Sequence, residues 1–245
     1  MHPSPSRSRS IGFSLIEFLM LLGCLVVLIG IFSPLLSNRN YDRRRGRIHC
    51  VNNLKQVGIA LRTYAVDFGG LYPWQERAAG GAILSPSNAV SADLIRYFSS
   101  VSNELSTPRI LSCSADERAN LGTNRWDTLR DDSNLAHRVP SYFLGLTATE
   151  ELPASILSGD RNLTNGPPAN LDWRTVGTRT PVWKLPQATN SIRTLGFDSR
   201  TIHQASGNLL LGDGSVQQVS NGRLRDAVGE PQQAGGIEWL FPVDH

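Results

Sequence analysis

Residues 13–36 read FSLIEFLMLLGCLVVLIGIFSPLL, and the reading of this stretch decides what the rest of the chain can be. As a single α-helix it would rise about 36 Å, enough to match a hydrocarbon core of roughly 30 Å. An ordinary secretory signal has an apolar region of about 7–15 residues followed by an Ala-x-Ala-like site. This run is longer, and Ser33-Pro34-Leu35 is a poor cleavage site. An ordinary anchor explains the length but not Glu17, the one charge in the run. A carboxylate costs roughly 2.5–3.5 kcal/mol near the centre of an inserted helix and less near its end, so it asks for a partner.

Outward from this run, the charges are unevenly placed. Arg7 and Arg9 precede it, and Arg39, Arg43, Arg44, Arg45 and Arg47 follow it. From Ile48 onward the chain holds 17 of its 24 basic and 19 of its 21 acidic residues, so the sequence pI of about 9.0 belongs to the edges of the apolar run. The remainder lacks the basic stripe that a nucleic-acid partner would need. Arginines at those edges suit anionic headgroups of an inner-membrane lipid surface. Counting positive charges alone would put the C-terminal part in the cytoplasm, because five follow the run and two precede it.

The 245 residues suffice for one sizeable domain plus attachments. Ile48, Val51, Leu54, Val57, Leu61, Tyr64 and Phe68 recur every three or four positions, which predicts an amphipathic helix ended by Gly69-Gly70. Residues 71–169 are rich in Gly, Pro, Ser and Asn and predict short pieces only, among them a brief helix at Asp93–Phe98 and a strand at Ser141–Leu146. Near the end, Asn208-Leu-Leu-Leu-Gly-Asp213-Gly214-Ser-Val-Gln-Gln-Val219 places two β-rich runs around Asp-Gly, the signature of a hairpin with a type I′ turn. A strand at Thr194–Phe197 is expected before it, and a short helix capped by Ser220 after it.

Gly12-Phe13-Ser14-Leu15-Ile16-Glu17, behind a short leader with Arg7 and Arg9, resembles the processing site of type IV prepilins and type II secretion pseudopilins. The resemblance implies cleavage after Gly12 by a prepilin peptidase, methylation of the new amine at Phe13, and pairing of that amine with Glu17 of its own or a neighbouring subunit. It also implies a helix kinked at Pro34. The stem HCVNNLKQVGIALRTYAVDFGGLYPW is similar to a large bacterial family of prepilin-type proteins. His203 followed after nine residues by Asp213-Gly214 resembles the signature of the processing-associated members of that family. Leu111-Ser-Cys113-Ser-Ala-Asp116 is similar to a subgroup that more often has proline where Ser114 stands.

The fold implied is α+β and pilin-like: a long N-terminal membrane helix packed on a small antiparallel β-sheet head with loop-rich insertions. The expected division is leader 1–12, transmembrane helix 13–36, basic junction and stem 37–68, and head 69–245. The N-terminus would lie in the cytoplasm, with the head in the periplasm. In an oxidising compartment Cys50 and Cys113 are candidates for one disulfide, and Cys24 is a small packing residue. Three cysteines without a Cys-x-x-Cys pair indicate neither a disulfide scaffold nor a zinc motif.

His203, Asp213 and Asp160 can be written as a base with acids or as metal ligands, but their spacing supports neither. No Gly-x-Ser-x-Gly elbow, His-Glu-x-x-His helix or phosphate loop is present. His203 is therefore expected to hold a structural hydrogen bond and Asp213 to sit in a turn. No metal or cofactor is expected, with Asp160 as a calcium candidate because some pseudopilin heads bind that ion. Three functions remain in order: a non-enzymatic pseudopilin-like subunit assembling with other pilin-like subunits, a membrane-tethered module capturing a polysaccharide or secreted protein, and a tethered enzyme.

Overall fold

The computed structural model describes residues 14–36, 39–77, 83–84, 91–165, 182–185, 192–199, 201–229 and 237–242. The chain divides into two compact units, Met1–Asp42 and Arg43–His245.

The first unit holds helix α1, Leu15–Leu36. Its leucines are good helix formers, and its start is fixed locally: the backbone N–H of Ser14 donates to Glu17 Oε2 at 3.0 Å. Ser14-x-x-Glu17 has the spacing of a capping box, in which the acid of the first turn satisfies a backbone donor left open at the helix start. The apolar side chains from Leu15 to Ile31 are exposed, Leu15 at 79% and Met20 at 73%. The expected membrane helix is corrected here, and with it the pilin-like fold built on it. Among the described residues no helix is long and apolar enough to cross a membrane. The carboxylate of Glu17 stands in the first turn of α1. Helix α1 continues through Pro34, whose side chain lies outside the described residues, as do Gly12 and Phe13 entirely.

The second unit is a mixed helix and sheet structure around an antiparallel sheet. Helix α2, Arg39–Asp67, supplies most of its length to this unit. Its buried stripe is Cys50, Leu54, Val57, Leu61 and Ala65, with Ala60 beside it. The expected face ran through Ile48 and Phe68, yet both are exposed. The three-and-four spacing was legible, but the stripe is rotated because small Cys and Ala residues, not only large ones, face the sheet. Gly69 and Gly70 have φ of 68° and 84°, and the Gly70 N–H reaches the Ala65 carbonyl at 2.7 Å. That is a Schellman closure, which satisfies a carbonyl that the helix end would leave open.

Between α2 and the sheet, residues 91–138 form short helices: α3 Ser91–Ser100, α4 Ser102–Leu105, α5 Trp126–Asp131 and α6 Ser133–Arg138. The six-stranded sheet comprises β3 (Tyr142–Gly145), β4 (Ile156–Asp160), β6 (Val182–Leu185), β8 (Ser206–Leu211), β9 (Val216–Ser220) and β10 (Ile237–Leu240). Their order is β6-β10-β3-β4-β8-β9, antiparallel throughout. Two small ladders join β1 (Glu76–Arg77) to β2 (Ile83–Leu84) and β5 (Leu163–Asn165) to β7 (Leu195–Phe197). Helix α7, Asn221–Gly229, follows β9.

Strand alternation divides the core in two. Leu144, Leu210 and Leu240 join the α2 stripe, while their neighbours Phe143, Leu209 and Trp239 join Phe197, Leu224 and Val228. Successive strand residues point to opposite faces, so a sheet covered on both sides carries continuous apolar runs such as Leu209-Leu210-Leu211. Helix α2 approaches closely at Gly58, where a Cβ would stand 2.7 Å from Leu210 Cδ1.

Candidate functional site

The residues singled out by the sequence fall at two ends of β8. At its C-terminal end lies the hairpin turn. The loop is three residues, Gly212, Asp213 and Gly214, closed by the Leu211 N–H donating to the Ser215 carbonyl at 2.9 Å. Only Gly214 has a positive φ, 83°, so the expected type I′ turn is replaced by the three-residue form with glycine in the left-handed position. Asp213 accepts from the Ser215 N–H at 2.8 Å, and hydrogen bonds from the Ser215 side chain and from this N–H hold its carboxyl below the usual range. Arg62 of α2 donates to the Asp213 carbonyl at 2.6 Å.

At the N-terminal end of β8 lies a buried polar cluster. Cys50 of α2 and Cys113 form a disulfide, with Cα atoms 5.0 Å apart. His203 Nε2 lies 3.6 Å from Cys113 Sγ and 3.5 Å from Asp160 Oδ2. Asp160 ends β4, is fully buried, and its Oδ2 accepts from the Asn208 backbone N–H at 2.7 Å and the Asn208 amide at 2.9 Å. Among the described residues its buried Oδ1 has no hydrogen-bond partner. The loop carrying His203 turns through left-handed backbone at Ile202, Gln204 and Ala205, with φ of 44°, 52° and 55°. Such conformations cost non-glycine residues roughly 1–3 kcal/mol each and persist only where the surroundings hold them. Here Arg47 of α2 donates to the His203 carbonyl and to Ser206 Oγ, both at 3.0 Å, and Ser206 Oγ donates to the same carbonyl at 2.7 Å.

A second carboxylate stands close by in a different environment. Burial works to raise Asp116, but Arg161, donating at 2.9 and 2.8 Å, and the charge of Arg118 outweigh it and hold the carboxyl at about 2. Ser141 Oγ donates to Asp116 at 2.7 Å and accepts from the Cys113 N–H at 2.9 Å, tying this ion pair to the disulfide. Asp160 has no such cation in hydrogen-bonding contact. Burial pushes it up to about 7 against the two Asn208 hydrogen bonds. Burial, assisted by the Arg47 charge, lowers His203 to about 4.

The geometry limits the chemistry. A relay needs the imidazole to face acid and nucleophile through different nitrogens, whereas Asp160 and Cys113 both meet Nε2. His203 and Asp160 are 4% and 0% exposed. For calcium, the cluster offers Asp160 as its one carboxylate beside sulfur and nitrogen, whereas that ion takes six to eight oxygens. His203 and Asp213-Gly214 are not brought together: they mark the two places where arginines of α2 dock onto the ends of β8. The contacts of Arg47, Arg62 and Arg118, and the pairing of Arg161 with Asp116, were not read from the sequence, nor was the Ser14-x-x-Glu17 box although its spacing was in view. Of the tryptophans, Trp74 and Trp239 are buried, and Trp74 Nε1 donates to the Leu146 carbonyl at 3.0 Å.

Comparison of the chain with protein-family models, with curated proteins and with solved structures finds no match.

Proposed function

We propose that the chain is a pilin- or pseudopilin-like assembly subunit, processed after Gly12, whose N-terminal helix packs against equivalent helices of neighbouring subunits. The observation that carries this reading is the exposed apolar flank of α1 from Leu15 to Ile31, with Glu17 as the one charge among its side chains. Contiguous exposed apolar surface of this extent marks an interaction site. The Cys50–Cys113 disulfide supports a head placed outside the cytoplasm, since such bonds persist in oxidising compartments. A prepilin peptidase and other pilin-like subunits are the partners this reading calls for. The closed His203 cluster supports a structural rather than a catalytic head.

Glu17→Gln tests the reading. Glutamine keeps an oxygen for the Ser14 N–H, as either residue serves in a capping box, but removes the charge that would meet the Phe13 amine. Co-purification of the variant with other pilin-like subunits should fall while the head stays folded. Wild-type co-purification would reduce Glu17 to a helix cap, leaving a tethered binding module.

A further inference from the structure

The His203 cluster holds the donor types of a zinc site, with its two sulfurs tied up in the disulfide and Asp160 reaching the group through His203 Nε2. Cys50 Sγ, Cys113 Sγ and His203 Nε2 lie within 4.8 Å of one another, all buried. Zinc binds thiolate sulfur at about 2.3 Å and nitrogen or carboxylate oxygen at about 2.0–2.2 Å. In a tetrahedron those bond lengths put sulfur about 3.6 Å from nitrogen, and nitrogen about 3.4 Å from oxygen. The observed separations are 3.6 Å from Cys113 Sγ to His203 Nε2 and 3.5 Å from His203 Nε2 to Asp160 Oδ2. Asp160 also carries the buried Oδ1 that no donor among the described residues satisfies.

We infer that the reduced protein binds one zinc-class divalent cation through Cys50, Cys113, His203 and Asp160, so that disulfide and metal are alternative locks on the same junction of α2 with the head. A small dithiol supplies two electrons and two protons to the Cys50–Cys113 bond and leaves as its own disulfide. The cation then displaces the two thiol protons to water and takes two thiolates, a neutral imidazole and a carboxylate. Opening the sulfurs to about 3.8 Å, the tetrahedral sulfur–sulfur separation, is a matter of side-chain rotation at Cα atoms 5.0 Å apart. The resulting site has one net negative charge and faces Arg47, which already holds the His203 carbonyl. Zinc needs a closed four-ligand shell in structural sites, and the burial of all four residues provides one.

The test uses the purified full chain, reduced with a phosphine under nitrogen and titrated with Co2+. One equivalent should bind, giving thiolate-to-cobalt charge-transfer bands and the strong visible bands of tetrahedral Co2+, which Zn2+ bleaches. The oxidised chain should give neither. His203→Gln should weaken binding more than about tenfold, because even outer-shell changes cost roughly 10–100-fold. Asp160→Asn, which keeps the side-chain size, should shift the visible bands while the thiolate bands persist. Cys24→Ser should change nothing. The inference is overturned if the reduced chain shows no thiolate bands, if the oxidised chain binds equally, if both site variants keep the wild-type spectrum and affinity, or if Cys24→Ser abolishes the signal.

Discussion

Helices α1 and α2 follow one another in the chain and are both rich in apolar residues, but their apolar surfaces have opposite fates. Helix α2 buries Cys50, Leu54, Val57, Leu61 and Ala65, and it is tied to the head by the disulfide and by Arg47 and Arg62. Helix α1 exposes its apolar side chains from Leu15 to Ile31 and has a local capping contact at its start. The difference teaches that α2 packs into the head, whereas α1 leaves its apolar side chains exposed, and the proposed assembly rests on that exposed surface. It also locates His203 and Asp213, which lie at the two places where arginines of α2 meet the ends of β8.

The sharpest break in this comparison comes from cutting the covalent tie. Replacing both Cys50 and Cys113 by alanine removes a crosslink between residues 63 apart, which by loop-closure entropy should lower head stability by about 4 kcal/mol. Denaturant unfolding measures this, and a loss under about 1 kcal/mol would show that α2 is held by packing alone.

A smaller effect should come from the cluster beneath Arg47, read as the pH dependence of stability. His203, held at about 4 when folded, takes a proton in the unfolded chain below about 6.5, so acidification from 6.5 to 4 costs stability. Asp160, at about 7 when folded and about 3.9 unfolded, does the reverse: charging it costs stability as pH rises from 4 to 7. With Asp116 already ionised and Tyr142 neutral, the two slopes oppose each other, and their part of the wild-type profile should be flat between about pH 4 and 6.5. Asp160→Asn should leave a chain that weakens on acidification, and His203→Gln one that strengthens. Parallel slopes in the two variants would show that the residues do not share one environment.

The smallest effect is expected in α1. Leu25→Ser, at an exposed position, should leave head unfolding unchanged within about 0.5 kcal/mol, while reducing co-purification with pilin-like subunits. A large loss of head stability would mean that α1 belongs to the fold as α2 does.

How much was legible follows from the range of each signal. The three-and-four spacing of α2, the Gly69-Gly70 stop, the strand Tyr142–Gly145 and the β8–β9 hairpin are written in residues close together in sequence, and each was readable. The exposed side of α2 was misjudged, because Ile48 and Phe68 carry the same local pattern as core residues and only the position of β8 shows that Cys50 and Ala65 face inward. The turn type was missed because Asp-Gly also fits a loop in which Gly212 takes part and Gly214 alone turns left-handed. Arg47 meets His203 across 156 positions, Arg62 meets Asp213 across 151, and Asp116 meets Arg161 across 45. No local pattern announces such pairs. The membrane helix was read from apolar content, but among the described residues no helix is long and apolar enough for a crossing.

Mass spectrometry of the mature N-terminus from cells that carry a prepilin peptidase tests the central claim most directly. Assembly through α1 predicts a chain beginning at Phe13 with a methylated amine, four residues before Glu17. A chain that begins at Met1, with Gly12-Phe13 uncut, would contradict it.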